Sequence, residues 1–127
     1  MTATNADCYR AQCYETSRLL AQRMGLEPSM WSVGFQSRLG RTPWIQPNSI
    51  DLIEQQPPLG SRLLVLVPSF VADCLETLEE VGMDLRERFL ASGGEAFDAA
   101  PCPNSHPAWV ETLARMVIEE ANSAEIS

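Results

Sequence analysis

The sequence predicts an α/β fold in which a parallel sheet is flanked by helices, giving three layers. Helix-like and strand-like segments alternate along the 127 residues, the loops between them are short, and residues 62–67 (RLLVLV) form a continuous apolar run of strand length. Such a run is typical of a parallel strand covered on both faces, and the alternation is typical of parallel sheets. We therefore expect one Rossmann-like domain over residues 1–122, followed by a frayed tail at 123–127.

Helices are predicted where apolar side chains recur at steps of three and four residues. Gly25 is placed to end the first helix, and Asn48 or Ser49 can cap the second before Pro57 stops it. The strands are short apolar runs between these helices. The helices are expected at 6–24, 48–56, 74–92 and 107–122, and the strands at 31–35, 62–67 and 95–99.

Functional residues are expected in the loops that follow the strands. In open parallel sheets, ligands bind at the carboxyl ends of the strands. The loops at that edge are residues 36–44, 68–73 and 100–107.

Composition excludes several classes of function. The net charge of -8 and the pI near 4.5 argue against nucleic-acid binding, because affinity for phosphates rests on Lys and Arg. No apolar run approaches the ~20 residues of a transmembrane helix, and no signal peptide is recognisable at the start. Cys8, Cys13, Cys74 and Cys102 form no CxxC pair, so zinc ribbons are not supported and reduced thiols are expected. We expect a soluble, cytoplasmic protein.

The third helix combines an apolar stripe with an acidic row. The stripe is expected to face the core and consists of Leu75, Leu78, Gly82, Leu85 and Phe89. The acidic row follows at steps of four residues on the opposite face and consists of Glu76, Glu80 and Asp84.

Two interpretations of the acidic row remain open. Carboxylates beside a cleft can guide a divalent cation or accept protons, and oxygen ligands hold a transition-metal cation weakly enough to pass it on. Like charges at this spacing cost roughly 0.2–0.5 kcal/mol per pair, so helix stability alone does not explain the row. Alternatively, the row is a solvated face, since Asp73 and Glu76 have the spacing of a capping box.

The loop at residues 36–44 (QSRLGRTPW) has the composition of a binding surface. Arg38 and Arg41 can pair with carboxylates of a ligand, for which the guanidinium geometry is suited. Trp44 can lie against a flat ring system. The alternative is a surface loop with Trp44 tucked onto the core.

Four segments in order resemble the ferrochelatase family, whose members insert ferrous iron into a porphyrin. They are YRAQCYETSRLLA at 9–21, QSRLGRTPW at 36–44, DCLETLEE at 73–80 and PCPNSHP at 101–107. The resemblance runs from about residue 7 to residue 117 and implies one chelatase-like half-domain.

The resemblance implies roles for the residues of these segments. Glu76 would face the porphyrin as a proton acceptor or metal guide, and Glu80 and Asp84 would continue a transient iron path. Where many members have His, this chain has Cys74, either as a softer metal contact or as a packing residue. The porphyrin-binding residues would be Gln36, Ser37, Arg38, Gly40, Arg41, Pro43, Trp44 and Asn104.

The same resemblance implies that part of the machinery lies elsewhere. Family members are two α/β halves, and the principal histidine lies in a Ser-Ala-His-Gly-type segment of the first half. Nothing here matches that segment, and His106 is the only histidine. We expect the C-terminal half of an enzyme acting on protoporphyrin IX in the last step of haem synthesis, incomplete alone and completed by a separate N-terminal half.

The same resemblance bears on the cofactor and leaves two alternative functions open. Iron is expected as substrate, with no resident cofactor, because the cysteines do not reproduce the spacing that holds a 2Fe–2S cluster in some members. One alternative is a non-catalytic module that binds porphyrin or haem. Another is a small tetrapyrrole chelatase that homodimerises to rebuild a cleft.

Overall fold

A computed structural model of the chain describes residues 7–36, 44–55 and 60–124. The elements follow in an alternating order, and a π-helix runs directly into the third α-helix. In chain order they are α1 (Tyr9–Met24), a 3-10 turn (Pro28–Met30), α2 (Ser49–Gln55), β1 (Arg62–Val65), the π-helix (Glu76–Leu85), α3 (Arg86–Ala91), β2 (Ala96–Ala99) and α4 (Pro107–Ala124).

Within the described residues the sheet has two strands, which run parallel. Arg62 lies opposite Ala96 and Val65 lies opposite Ala99. The prediction of a strand at 31–35 is wrong, because Phe35 forms only an isolated parallel bridge with Asn48, just before α2. Its N–H donates to the carbonyl of Pro47, and its carbonyl accepts from the N–H of Ser49, so neither group is left for β1.

The two faces of β1 differ in their surroundings. Leu63, Val65 and Val67 pack against the core on the side of the helices. Leu64 on the other face, and Leu66 just after the strand, are 54% and 45% exposed, so the predicted cover of this face is not seen among the described residues. The described residues form a mixed helix and strand fold with a small parallel two-stranded sheet.

The core forms where α2, the π-helix and α3 meet the sheet. Its buried members are Ile53, Val81, Leu85, Phe89 and Phe97. The rings of Phe89 and Phe97 are tilted by 52° with centroids 6.0 Å apart, a favourable edge-on arrangement. Gly94 allows this packing, since a Cβ there would clash with the ring of Phe89.

The π-helix buries a different row from the predicted stripe. Thr77, Val81 and Leu85 are buried at steps of four residues, whereas Leu75 and Leu78 are exposed. The i→i+5 bonding of a π-helix makes each turn wider than the ~3.6 residues of an α-helix, so four-residue steps stay aligned. The predicted stripe combined three- and four-residue steps, and only Leu85 and Phe89 of its large side chains are buried.

Helices α1 and α4 confirm two of the predicted elements but not the burial of their apolar sides. Gly25 ends α1 in the left-handed conformation, with φ at 69°. Trp109 at the start of α4 is half-buried. No described helix combines the length and apolarity needed to cross a bilayer. The remaining large apolar side chains of α4 are exposed, and they are Val110, Leu113, Met116, Val117 and Ile118.

The burial pattern predicts a contrast between two leucines of the π-helix. Leu85 is 2% exposed and Leu78 is 59% exposed. We expect Leu85→Ala to lower the free energy of unfolding by about 2–5 kcal/mol, since it leaves a cavity in the core. Leu78→Ala should change it by less than about 0.5 kcal/mol. Urea denaturation of both variants measures the contrast, and equal losses would contradict the four-residue burial row.

Candidate functional site

The carboxyl ends of both strands lead to one edge of the sheet. The segment after β1 passes through Val71 and Asp73 to the π-helix, and the segment after β2 passes through Cys102 and Asn104 to α4. Two backbone hydrogen bonds join these segments. The Ala100 N–H donates to the carbonyl of Val65, and the Asn104 N–H donates to the carbonyl of Val71, each at 2.9 Å.

One part of the site joins the loop after Phe35 to the acidic row. The Gln36 side-chain amide donates from Nε2 to Glu80 Oε2 at 3.2 Å. The indole N–H of Trp44 donates to the carbonyl oxygen of Gln36 at 3.0 Å. Three predicted site residues, from two segments far apart in sequence, therefore lie together, with all three side chains half-buried.

Gln36 has spare hydrogen-bonding capacity at this point. Its Oε1 is buried and has no hydrogen-bond partner among the described residues. A buried amide oxygen without a partner costs free energy, so such an atom marks a place where a donor can be accommodated. The structure thus leaves an acceptor beside the Glu80 carboxylate.

A second part of the site centres on the carboxylate of Asp73. Its Oδ2 accepts from Asn104 Nδ2 at 2.6 Å, and its Oδ1 accepts from the Cys102 N–H at 3.2 Å. These hydrogen bonds, that of Asn104 first, hold the pKa of Asp73 below its ordinary value. Burial raises the pKa of the adjacent Cys102 thiol, and the Asp73 carboxylate raises it further.

Asp73 does not act as the predicted capping residue. In a capping box its side chain would accept from the N–H of the third helical residue. The Thr77 hydroxyl instead accepts from the Cys74 N–H at 2.9 Å and lies 3.4 Å from Asp73 Oδ1. The Cys74 N–H is thus bonded by a side chain of the helix itself, whereas the Asp73 side chain is bonded by groups of the loop after β2.

Glu76 begins the π-helix and is half-buried. A hydrogen bond from the Cys74 side chain and one from its own backbone N–H lower the pKa of Glu76. The carboxylate is consequently charged at neutral pH, as a group that attracts a cation must be. Cys74 contacts Glu76, and whether it would also touch a metal stays a prediction.

Asp84 has a partner of opposite charge. Both oxygens of its carboxylate accept from Arg88 Nε, at 3.0 and 3.1 Å. Arg88 also pairs with Glu54 of α2 at 3.1 Å, so the cluster links α2 to the helix that carries the acidic row. Among the residues that the structure describes, no three ligand side chains lie close enough to hold a metal ion.

A cavity of about 320 Å³ lies between the π-helix and the ends of the strands. Asp73, Thr77 and Val81 line one side of it, and Phe97 and Pro101 line another. Among the described residues, the acidic row, Gln36 and Trp44 do not line this cavity. It is therefore separate from the contact between Gln36 and Glu80.

The predicted site residues divide into three groups. Gln36, Trp44 and Glu80 are brought together, whereas Asp84 is tied to Arg88. Asn104 has both side-chain polar atoms bonded to Asp73, and its contact with porphyrin stays a prediction. Glu76 lies at the start of the π-helix, four residues before Glu80. The remaining five predicted residues lie outside the described residues and are Ser37, Arg38, Gly40, Arg41 and Pro43.

Sequence reasoning missed the network around Asp73. Thr77 and Cys102 were not singled out for polar contacts, although both take part. The available signal was position, because Asp73 and Asn104 each lie a few residues after a predicted strand of the same sheet. Residues in that position meet at the carboxyl edge.

Comparison with known proteins identifies similar chains. The model of the family described as Ferrochelatase matches residues 1–121. A ferrochelatase of Ectopseudomonas mendocina (strain ymp) is 50% identical over 123 residues, which cover 96% of this chain and 36% of that protein. One of Pseudomonas aeruginosa (strain LESB58) is 54% identical over 110 residues, covering 86% and 32%. One of Azotobacter vinelandii is 51% identical over 112 residues, covering 87% and 33%. The chain spans about a third of the length of these relatives.

The lowered pKa of Asp73 predicts a pH-dependent contribution to stability. Its pKa in the folded chain lies below the unfolded value of about 3.9. The stabilisation is therefore complete above about pH 4 and is lost as the pH falls through the folded-state pKa. We expect Asp73→Asn to be less stable near neutral pH, and its free energy of unfolding to fall less steeply on acidification.

Urea denaturation between about pH 7 and about pH 3 measures this difference. Glu111→Gln is the control, because it removes one exposed carboxylate of α4 without touching the network. Parallel pH profiles for Asp73→Asn and the unmodified chain would contradict the prediction.

Proposed function

This chain belongs to the ferrochelatase family, and on that premise we propose that it forms one wall of a porphyrin-binding cleft. The enzyme would insert ferrous iron into protoporphyrin IX in the last step of haem synthesis. The observation that carries the proposal is the contact of Gln36 with Glu80 and Trp44. It joins the two segments that the family resemblance assigns to porphyrin and to iron.

Iron insertion requires that two pyrrole N–H protons leave as Fe²⁺ bonds to the four nitrogens. A carboxyl group with a lowered pKa is deprotonated at neutral pH. It therefore carries a full negative charge but does not retain a proton that it accepts. The lowered pKa of Glu76 therefore favours the role of metal guide over that of a lasting proton acceptor. Since carboxylate oxygens bind ferrous iron weakly, Glu76 and Glu80 would pass the cation on.

Asp84 would enter this path only by exchanging partners. Its carboxylate is neutralised by Arg88, and a cation would compete with the guanidinium for the same oxygens. The ion pair is partly exposed, so its contribution to stability is small and exchange is feasible. Asp84 is thus the outer member of the proposed path.

We further propose that this chain is the C-terminal half and that a separate N-terminal half supplies the principal base. His106 is a poor substitute, since it is exposed at the start of α4, where its Nδ1 accepts from the Ala108 N–H. The uncovered side of β1, with Leu64 and Leu66, supports the three-layer arrangement, in which further helices would cover the sheet.

A second candidate function is porphyrin binding without metal insertion. The pairing of Asp84 with Arg88 favours it, because one carboxylate is withdrawn from the iron path. The two functions share the cleft wall and differ only in what happens to iron.

Absorption spectroscopy of protoporphyrin tests the proposal. We expect the Soret band to shift in a saturable way with the unmodified chain. Trp44→Ala should raise the dissociation constant about tenfold, since loss of one stacked aromatic costs about 1–2 kcal/mol. Trp31→Ala is the matched control and should stay within about twofold, because Trp31 lies near α1, away from Gln36. Absence of any shift would contradict the proposed function.

Adding ferrous iron without oxygen separates the two candidates and tests the half-enzyme proposal. We expect metalloporphyrin bands to appear no faster than without protein while the chain is alone. Faster formation that Glu76→Gln lowers by about 100-fold, the scale of losing one charged group at a reacting centre, would contradict the need for a second half. If the N-terminal half also fails to accelerate the reaction, binding without insertion is the function.

A further inference from the structure

We infer that Asp73 and Asn104 are positioning residues for Glu76. Their paired side chains, termed here the loop latch, tie the segment after β2 to the first turn of the π-helix. The expected effect of these two residues on iron transfer rests on the proposed function. Their effect on the position of Glu76 does not.

The loop latch is reciprocal. The backbone N–H of Asp73 donates to Asn104 Oδ1 at 2.9 Å, and Asn104 Nδ2 donates back to Asp73 Oδ2 at 2.6 Å. A third hydrogen bond, from the Asn104 N–H to the carbonyl of Val71, holds the same two segments together. A hydrogen bond to a charged carboxylate is stronger than one between neutral groups, so the pair is well suited to fix a loop.

The other oxygen of Asp73 connects the loop latch to the π-helix. Oδ1 accepts from the Cys102 N–H and lies within reach of the Thr77 hydroxyl. Thr77 is 7% exposed, and its oxygen accepts from the Cys74 N–H. A path of hydrogen bonds therefore runs from Asn104 through Asp73 and Thr77 to the Cys74 N–H, two residues before Glu76.

The conformation of Asn104 supports a dedicated role. Its φ is 49°, in the left-handed region that few residues other than glycine adopt. Asparagine tolerates this region better than most residues, and outliers of this kind cluster at functional sites. Here the strained backbone accompanies a side chain with both polar atoms bonded to Asp73.

The loop latch anchors Asp73 just before the first turn of the π-helix, and that turn has no side-chain cap of its own. Helix ends without a cap leave N–H groups to be satisfied by other groups. Glu76 is the first residue of this helix, three residues after Asp73. Displacement of Asp73 would therefore displace Cys74 and the Glu76 carboxylate with it. On this account Asn104 acts on iron transfer without touching the porphyrin.

A swap of the two side chains tests the inference. Asn104→Asp alone removes the Nδ2 donor and places two carboxylates next to each other. Asp73→Asn alone leaves an amide that cannot accept from both the Cys102 N–H and Asn104 Nδ2. The double variant, Asp73→Asn with Asn104→Asp, restores one amide and one carboxylate with complementary donors and acceptors.

Hydrogen exchange of the 127-residue chain provides the readout. We expect each single substitution to raise exchange of the backbone amides of residues 76–81 by about tenfold, and the double variant to return within about threefold of the unmodified chain. Exchange in α4 beyond its first turn should not change. Asp98→Asn, which removes an exposed carboxylate of β2, is the control and should leave residues 76–81 unaffected.

Three outcomes would overturn the inference: unchanged exchange in the single variants, exchange raised throughout the chain, or failure of the double variant to recover. If a single substitution unfolds the chain, recovery of its helical circular dichroism by the double variant is the equivalent test.

Protoporphyrin binding separates this inference from direct contact and from the proposed function. If Asn104 only positions Glu76, the double variant should restore the protoporphyrin dissociation constant of Asn104→Asp to within about twofold of the unmodified chain. Direct contact predicts weaker binding that the double variant does not restore, and this result would contradict the inference. If the unmodified chain does not bind protoporphyrin, the proposed function fails while hydrogen exchange still decides the role of the loop latch.

Discussion

The burial of Val81 and Leu85 against the sheet determines where the other side chains of the π-helix lie. These residues and Phe89 fill the space beside Phe97, so the helix cannot rotate without opening the core. Because the buried row advances in four-residue steps, the acidic row one position earlier advances with it. Glu76, Glu80 and Asp84 therefore occupy one flank of the helix, half-buried beside the core. The position of the candidate site is thus a consequence of hydrophobic packing.

Polar contacts then assign different surroundings to the members of that row. Glu80 accepts a hydrogen bond from the neutral amide of Gln36, whereas Asp84 is paired with the cationic Arg88. Asp73, just before the first turn of the π-helix, is hydrogen-bonded to Asn104 of the loop after β2. Three carboxylates with the same spacing in sequence therefore have different chemistry.

Much of the fold was predictable because it depends on local patterns. The helices at 9–24 and 107–124 follow from apolar spacing, and the strands at 62–65 and 96–99 follow from short apolar runs. The strand expected at 31–35 failed because the backbone of Phe35 bonds to the segment before α2, a choice that apolar pattern does not encode. The apolar stripe of the third helix failed because the prediction assumed α-helical turns, and the wider π-helix exposes Leu75 and Leu78.

The sequence by itself determined the alternation of elements, the family and the presence of an acidic row beside a strand end, because each is written in residues close together along the chain. Tertiary structure alone decided that Gln36 reaches Glu80 across 44 positions and that Asn104 reaches Asp73 across 31. Such contacts depend on strand pairing and on the rotation of a packed helix. These are properties of the assembled core, and no local pattern of residues specifies them.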